Sequence, residues 1–407
     1  MTEIALASLA VALLVLGLTL GLLAARRRLV PQGAVDVAVN ETTHLTAARG
    51  DRLLGVLHGG GIGIPAACGG SGTCGLCRVT VTGAGAGEPQ ATERGILSAH
   101  ERREHVRLAC QTSLRGDCAV TVPQEVLAAG GGFTCHVAST RMLAPLIREL
   151  VLELPEGQPF DYHAGQYMQL TAPAYDLDLG RIAPGDGFGE VWRNARWDRL
   201  SVASAAPVTR AYSVANRPED ARVAVFNIRL AVPPAGREED VPPGVVSSWL
   251  FSVQPGDPVA ASGPFGDFRV QPTRREMVFI GGGVGMAPLR AMIHEQLGAG
   301  TTRRIRYFYG ARSAADLFYT EAFDALAAAH PNFSFTPALS NPAPGDRWTG
   351  AIGFIHETVR REMQNHPAPE DCEYYLCGPP IMISAVLATL ERLGVEPGAI
   401  YNDDFGV

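Results

Sequence analysis

Four cysteines constrain this chain more than any other feature. Cys68, Cys74 and Cys77 stand in the run ACGGSGTCGLCRVTV with the spacing C-x5-C-x2-C, and Cys110 follows after 32 further residues. The residues between them are small: Gly69, Gly70, Ser71, Gly72 and Gly75. Such a loop lets backbone N–H groups come close to sulfur and donate to it, as an iron–sulfur cluster on four thiolates requires. Three other sites fit less well. A structural zinc site normally shows two C-x2-C pairs, and here there is one. A c-type haem site needs C-x-x-C-H, but Arg78 follows Cys77. A thioredoxin-like C-x-x-C leaves Cys68 and the glycines unexplained. The preceding Gly59–Pro65 run looks like a phosphate loop, yet no β-rich run leads into it and no helical pattern leaves it. It is expected to be the turn into the cysteine loop. Cys118, Cys135 and Cys372 are expected to be buried core thiols.

The spacing resembles the C-x5-C-x2-C variant of the [2Fe-2S] ferredoxins, and the flanks agree. Val35–Val39 and Arg78–Thr82 have strand patterns, Arg52–His58 suits a short helix, and ERREHVRLACQ leads into the last cysteine. The resemblance implies a β-grasp ferredoxin domain over 34–127, with Cys68, Cys74, Cys77 and Cys110 holding a [2Fe-2S] cluster.

Ile4–Ala25 is a run of 22 residues without a charge, followed at once by Arg26, Arg27 and Arg28. At about 1.5 Å per residue it reaches across a hydrocarbon core of roughly 30 Å. A cleaved signal peptide needs its positive charges before the apolar run, whereas here only Glu3 precedes it. Residues 1–30 are therefore expected to be a transmembrane anchor. The positive-inside rule puts the N-terminus outside and everything after the arginines in the cytoplasm. All 34 basic residues are arginine, which excludes a Walker P-loop and Schiff-base or lysine-base chemistry. The net charge of −7, with no basic block beyond the short arginine run, argues against nucleic-acid binding.

The Gly130–Gly132 run marks a linker. Beyond it, β-rich runs at Thr134–Ser139, Ile147–Leu154, Gln166–Thr171, Val223–Leu230 and Asp257–Ala261 suggest an antiparallel barrel over 133–271. Within it come RAYSVAN at 210–216, PPGVVSSWL at 242–250 and GPFG at 263–266. Alone, R-x-Y-S is four common residues, and a strand with Tyr212 in a core and Arg210 on the surface accounts for it. The three motifs together and in order resemble the ferredoxin–NADP reductase superfamily. That resemblance implies that Arg210 pairs with a flavin pyrophosphate, Tyr212 stacks on the isoalloxazine, Ser213 bonds near its N5, and Ser247 meets the pyrophosphate at a helix N-terminus. Leu177–Ala206, with Trp192 and Trp197, reads as an insertion, either a docking surface or a plain surface loop.

Residues 272–407 alternate strands and helices, as a parallel α/β domain does. Strands are expected at Met277–Ile280, Arg304–Tyr309, Phe333–Leu339 and Glu373–Leu376, with helices at Leu289–Leu297, Thr320–Ala329 and Ile381–Leu393. Gly281, Gly282, Gly283 and Gly285 form a phosphate-type turn, although Met286 stands where the Rossmann fingerprint needs its last glycine. By the same resemblance, Cys377 and Gly378 in the C-G-P-P turn lie beside the nicotinamide, where Cys377 positions the ring. Arg312 and Ser313 suit an adenosine ribose or a 2′-phosphate equally, and Phe405 in the tail covers the flavin.

An anchor, a ferredoxin domain, a flavin barrel and a nicotinamide domain, in that order, resemble the F subunits of the Na+-translocating NADH:quinone oxidoreductases. ACGGSGTCGLCRV, FIGGGVGMAPLR, YGARS and EDCEYYLCGPP carry the likeness along the whole chain. It implies FAD, NADH as donor, and other subunits of a bacterial inner-membrane complex as partners. Oxygenase reductases, which feed a hydroxylase from the same three modules, are the alternative; they usually lack an anchor. A binding protein with vestigial cofactor domains is disfavoured by the intact ligand sets.

Overall fold

A computed structural model gives the fold and describes residues 14–19, 21, 33–66, 68–123, 126–127, 131–157, 160–185, 187–220 and 222–403. Of the expected membrane span, only 14–19 and 21 are described, and they are helical. Among the described residues no helix is long and apolar enough to cross a membrane. The chain forms two compact units, one of residues 1–60 with 77–123, the other of 61–76 with 124–407.

The first unit is a five-stranded sheet. Its strands are β1 (Ala34–Val39), β2 (Thr43–Ala48), β3 (Arg78–Thr82), β4 (Val106–Leu108) and β5 (Cys118–Thr121), in the order β2-β1-β5-β3-β4. β1 and β5 pair in parallel, the other pairs antiparallel. Val35, Val37 and Val39 alternate inward, and α1 (Leu53–Gly59) covers them with Leu53, Leu54 and Leu57. Two short helices follow, α2 (Ala91–Ile96) and α3 (Ala99–Arg103). Glu93 of α2 is fully buried and takes the Arg107 guanidinium through Nε and Nη2, both at 2.9 Å. It also accepts from the Leu108 and Gln90 N–H groups. This clamp fixes β4, the strand that runs into Cys110.

The second unit contains the barrel. Its strands are β6 (Phe133–Ala144), β7 (Ile147–Glu153), β8 (Tyr167–Ala172), β9 (Tyr175–Asp178), β10 (Ser201–Ser204), β11 (Val208–Ser213), β12 (Val223–Arg229) and β13 (Pro258–Phe265). Six of them run β11-β8-β13-β6-β7-β12, and an antiparallel bridge between Val214 and Phe226 joins the two edges. Helix α5 (Val245–Ser252) packs on the barrel. The Leu177–Ala206 segment is anchored on the barrel by a few buried apolar residues, while most of its described residues stay at least partly exposed. β9 pairs with β10, α4 (Gly189–Asn194) lies between them, and Leu179, Ile182, Trp192 and Val202 are buried in the barrel core. Trp192 donates its indole N–H to Pro145 O at 2.7 Å. The segment shows no clear period because its turns are short and its apolar residues come singly.

The remaining strands are β14 (Met277–Gly282), β15 (Ile305–Ala311), β16 (Phe333–Leu339), β17 (Ala351–Ile352), β18 (Glu373–Cys377) and β19 (Ile400–Asp403). All pair in parallel in the order β17-β16-β15-β14-β18-β19. Helices α6 (Met286–Gly298), α7 (Thr320–Ala329), α8 (Ile355–Met363) and α9 (Pro380–Arg392) connect them. Alternate residues of β14 feed opposite layers: Met277 and Phe279 pack with α6, Val278 and Ile280 with α8 and α9. A parallel sheet covered on both faces needs such all-apolar strands. The helix α8 and the tail strand β19 were not expected from the sequence.

Candidate functional site: a cysteine loop, a flavin barrel edge and a glycine crevice

Cys68 and Cys74 lie in the 61–76 loop of the second unit, with Sγ atoms 3.3 Å apart. Two thiolates on one tetrahedral metal at about 2.3 Å would sit roughly 3.7 Å apart, so the pair fits a shared iron. The hydrogen bond between the two thiols, with help from Ser71 and the backbone of Cys74 and Thr73, holds the Cys68 thiol below the ordinary thiol range and pushes that of Cys74 above it. Gly69, Gly70, Gly72 and Gly75 all have positive φ, which makes the tight wrapping possible. In the first unit Cys77 and Cys110 are buried at the same end of the antiparallel β3–β4 pair; Ala109 N donates to Cys77 O at 2.8 Å, and Gln111 Nε2 lies 3.5 Å from Cys110 Sγ. Cys118, Cys135 and Cys372 are buried thiols whose pKa values burial raises, to about 12 for Cys135 and Cys372.

Arg210, Tyr212 and Ser213 stand on β11, at an edge of the barrel sheet. Arg210 is exposed and donates to Thr209 O at 2.8 Å, while its guanidinium rests on Gly69, where a Cβ would meet Cζ at 2.2 Å. Tyr212 is half-buried against the barrel core. Ser213 is buried and its Oγ has no hydrogen-bond partner, the mark of a missing polar ligand. Gly244 begins α5, whose first turn carries no side-chain cap, so its N–H groups suit an anion. Ser247 lies in that turn, but its hydroxyl donates to Gly244 O and accepts from Ala231 N. The hydroxyl without a partner is that of Ser248, which the sequence does not distinguish from its neighbour. These features fit a flavin nucleotide.

The nucleotide sheet reverses its winding at β14, so the crevice between β14 and β18 is the topological switch point where dinucleotides bind. Gly281 pairs with Cys377 across it. A Cβ on Gly282 would meet Met382 Sδ at 2.7 Å, and one on Gly285 would meet Cys377 O at 2.0 Å. Gly283 and Gly378 adopt positive φ. The glycines thus keep both strand ends flat and close, which fits a dinucleotide laid over them. Cys377 is fully buried, in the layer of Phe279, Tyr307 and Tyr375. Arg312 lies 3.6 Å from Asp316 through Nε, and Ser313 bonds the same carboxylate through N and Oγ. Asp316, which holds both of these residues, was not singled out by the sequence. Phe405 lies outside the described residues.

Barrel and nucleotide sheet are tied by a polar cluster that had no sequence signal, because its members come from five separate segments. Glu149 takes Arg141 at 2.5 Å and the Tyr319 hydroxyl. Asn227 donates to that hydroxyl at 2.9 Å. Arg290, on the first turns of α6, lies over the Tyr319 ring at 4.8 Å and donates to Ala215 O at 2.6 Å, two residues beyond Ser213. Burial would raise the Glu149 carboxyl, but the Arg141 and Tyr319 bonds outweigh it and hold it below the usual carboxylate range. The cluster sets where the glycine crevice stands relative to the β11 edge.

Comparison with known proteins shows the family. The 2Fe-2S iron-sulfur cluster binding domain matches residues 35–115, and the oxidoreductase NAD-binding domain matches 279–387. The chain is 44% identical over 407 residues to the F subunit of the Na(+)-translocating NADH-quinone reductase of Neisseria meningitidis, covering 99% of this chain and all of that one. The chain belongs to the family of these F subunits. A second member, from Methylococcus capsulatus, is 43% identical over 395 residues, 97% of each chain. Among solved structures, an Amycolatopsis cytochrome P450 reductase, GcoB, is similar over 91% of this chain and 98% of its own, at 28% identity and a TM-score of 0.59. As a member of that family the chain is an oxidoreductase whose cofactors are a [2Fe-2S] cluster and FAD, with NADH as substrate.

Proposed function

We propose that this chain is the electron-input subunit of a Na+-translocating NADH-quinone reductase, anchored by residues 1–30 with its N-terminus outside and its cofactor domains in the cytoplasm. The observation that carries this is identity of 44% over 99% of the chain and all of the relative. FAD, when bound, would supply a hydride acceptor able to release electrons one at a time, which suits a one-electron [2Fe-2S] acceptor. The chain's own residues supply binding and orientation. Gly281, Gly282, Gly283 and Gly285 open onto the α6 N-terminus and hold the dinucleotide phosphates. Cys377 and Gly378 position the nicotinamide from the opposite strand end, and Arg312 and Ser313 serve its adenosine half. Arg210 and the α5 turn with Ser247 hold the flavin pyrophosphate, Tyr212 packs on the ring, and the unpaired Ser213 hydroxyl faces its reacting edge. Phe405 covers the flavin. Cys68, Cys74, Cys77 and Cys110 hold the cluster. Electrons leave through other membrane subunits.

The test is copurification from bacterial membranes with partner subunits, together with Na+-stimulated NADH oxidation. A chain that instead purifies alone and reduces a soluble hydroxylase would support the oxygenase-reductase reading. Cys74→Ala is expected to abolish the cluster's EPR signal and iron content while leaving reduction of FAD by NADH within about twofold of the parent. Loss of that reduction in a folded, FAD-loaded variant would overturn the division of labour.

A further inference from the structure

The sequence does not mark Arg290, and no flavin or nucleotide contact is assigned to it. It stands four residues into α6, whose N-cap is Gly285 of the glycine turn. Four residues of helix rise about 6 Å, so Arg290 moves as one body with that turn.

Strand register builds a polar row on the barrel to receive the nucleotide sheet. Arg141 on β6 and Asn227 on β12 both lie directly across from Glu149 on β7. Directly opposed residues share a face with Cβ atoms about 5 Å apart, so the three side chains stand together. Tyr319, the residue before α7, enters this row from the nucleotide sheet. Its hydroxyl donates to Glu149 and accepts from Asn227 Nδ2 at 2.9 Å, and Arg141 Cζ lies 5.8 Å from its ring centroid. Tyr319 has φ 59 and ψ 13, a left-handed conformation that a tyrosine rarely adopts. Such strain persists where the surrounding contacts over-determine it.

Arg290 adds a second point of attachment. Its Cζ lies 4.8 Å from the Tyr319 ring centroid, within cation–π range, and its Nη1 donates to Ala215 O at 2.6 Å. Ala215 and Asn216, the residues that follow β11 beyond Ser213, are buried and firmly held. Ala215 N donates to Val225 O at 2.7 Å, the Asn216 amide bonds Val225 N and Val223 O, and the Tyr162 hydroxyl donates to Asn216 O at 2.8 Å. A single attachment would leave the sheet free to rotate about it; two, on different strands, fix its orientation as well. The Arg290 Nε is buried with no hydrogen-bond partner, which costs stability. The guanidinium is thus oriented by the tie rather than by its own solvation.

We infer that Arg290 is a positioning residue for hydride transfer: bonded to the Ala215 carbonyl and stacked on Tyr319, it fixes the α6 turn against the end of β11 and so sets how the nicotinamide overlaps the flavin, without holding either nucleotide. The inference rests on the reading that β11 carries the flavin edge and that the glycine crevice takes the dinucleotide. Hydride transfer needs the reacting atoms about 3–3.5 Å apart and aligned, so it is more sensitive to this placement than binding is. Arg290 itself exchanges no proton or electron.

The test is Arg290→Ala in the full chain, with FAD content measured first. Stopped-flow reduction of FAD at saturating NADH is expected to slow about tenfold, while the NADH concentration for half-saturation stays within about twofold of the parent. The long-wavelength charge-transfer absorbance of reduced FAD with NAD+ should weaken, because it needs stacked rings. Tyr319→Phe, which removes only the hydroxyl, should slow the same step. The double variant should be no slower than Arg290→Ala alone, because the two side chains act as one unit. An unchanged limiting rate in FAD-loaded Arg290→Ala, or a loss carried only by weaker NADH binding, refutes the inference. Should Arg290→Ala fail to load FAD, Tyr319→Phe decides, and an unchanged limiting rate there refutes it. A chain in which Gly285→Ala leaves the NADH reaction intact would instead refute the crevice assignment on which the inference rests.

Discussion

Gly285→Ala is the sharpest probe of the glycine crevice, because it separates contact from conformation. Gly285 has φ −60 and ψ −11, an ordinary right-handed conformation that alanine adopts without strain. The added methyl, however, would lie 2.0 Å from Cys377 O, 2.3 Å from Cys377 C and 2.8 Å from Gly378 N. All three are backbone atoms, so no flexible side chain can yield. Real Cβ atoms essentially never come closer than 3.0 Å, so the glycine turn after β14 and the carboxyl end of β18 must part by at least about 1 Å. A misplacement of about 1 Å at a reacting pair costs on the order of 100-fold in rate, or roughly 2.7 kcal/mol of barrier. The measurement is stopped-flow reduction of bound FAD by NADH. The variant is expected to lose about 100-fold in kcat/KM for NADH while keeping its FAD and its cluster spectrum. Gly298→Ala is the control: it closes the same helix and has no neighbour within 4 Å. It should leave the kinetics unchanged and raise stability by about 0.5–1 kcal/mol. A Gly285→Ala chain within twofold of the parent would show that the strand ends do not need to stay this close.

Two further outcomes follow from the same geometry. Tyr212→Ala should lower the flavin-to-protein ratio of the purified chain; a full complement of FAD would refute the stacking role. In the ferredoxin unit, burial alone would raise the Glu93 carboxyl, but bonds from Arg107, Gln90 N and Leu108 N outweigh it and hold it below the usual carboxylate range. Its folded pKa lies under the unfolded value, so the stabilisation is complete at neutral pH and is lost as pH falls through the folded pKa. Arg107→Ala, which leaves that carboxylate buried without its partner, should cost about 3–5 kcal/mol in urea unfolding at pH 7. The deficit relative to the parent should shrink on acidification; a deficit independent of pH would contradict the assigned charge state.

Much of the site was legible in the sequence because its chemistry depends on local spacing. The cysteine loop needs small residues between ligands, and RAYS and CGPP are short runs on single strands. Strands such as Phe333–Leu339 and helices such as Thr320–Ala329 appear at the positions their patterns predict. Two kinds of feature escaped. Ser247 and Ser248 are adjacent and chemically alike, and only backbone geometry decides which hydroxyl is already satisfied. The Trp192 segment looked like a loop because burial in the barrel core is a long-range fact.

By itself, then, the sequence determined which groups are available: four thiolates in a glycine loop, a flavin-type arginine and tyrosine, and two glycine turns after buried strands. It determined also that no lysine takes part. The tertiary structure alone decided how they face one another. Sheet order makes the gap between β14 and β18 a crevice, and strand register sets Asn227 beside Glu149. Long-range packing lays the cysteine loop over β8, and a cluster from five segments ties barrel to sheet. Such relations depend on pairing between residues tens to hundreds of positions apart, and local propensity carries no record of them.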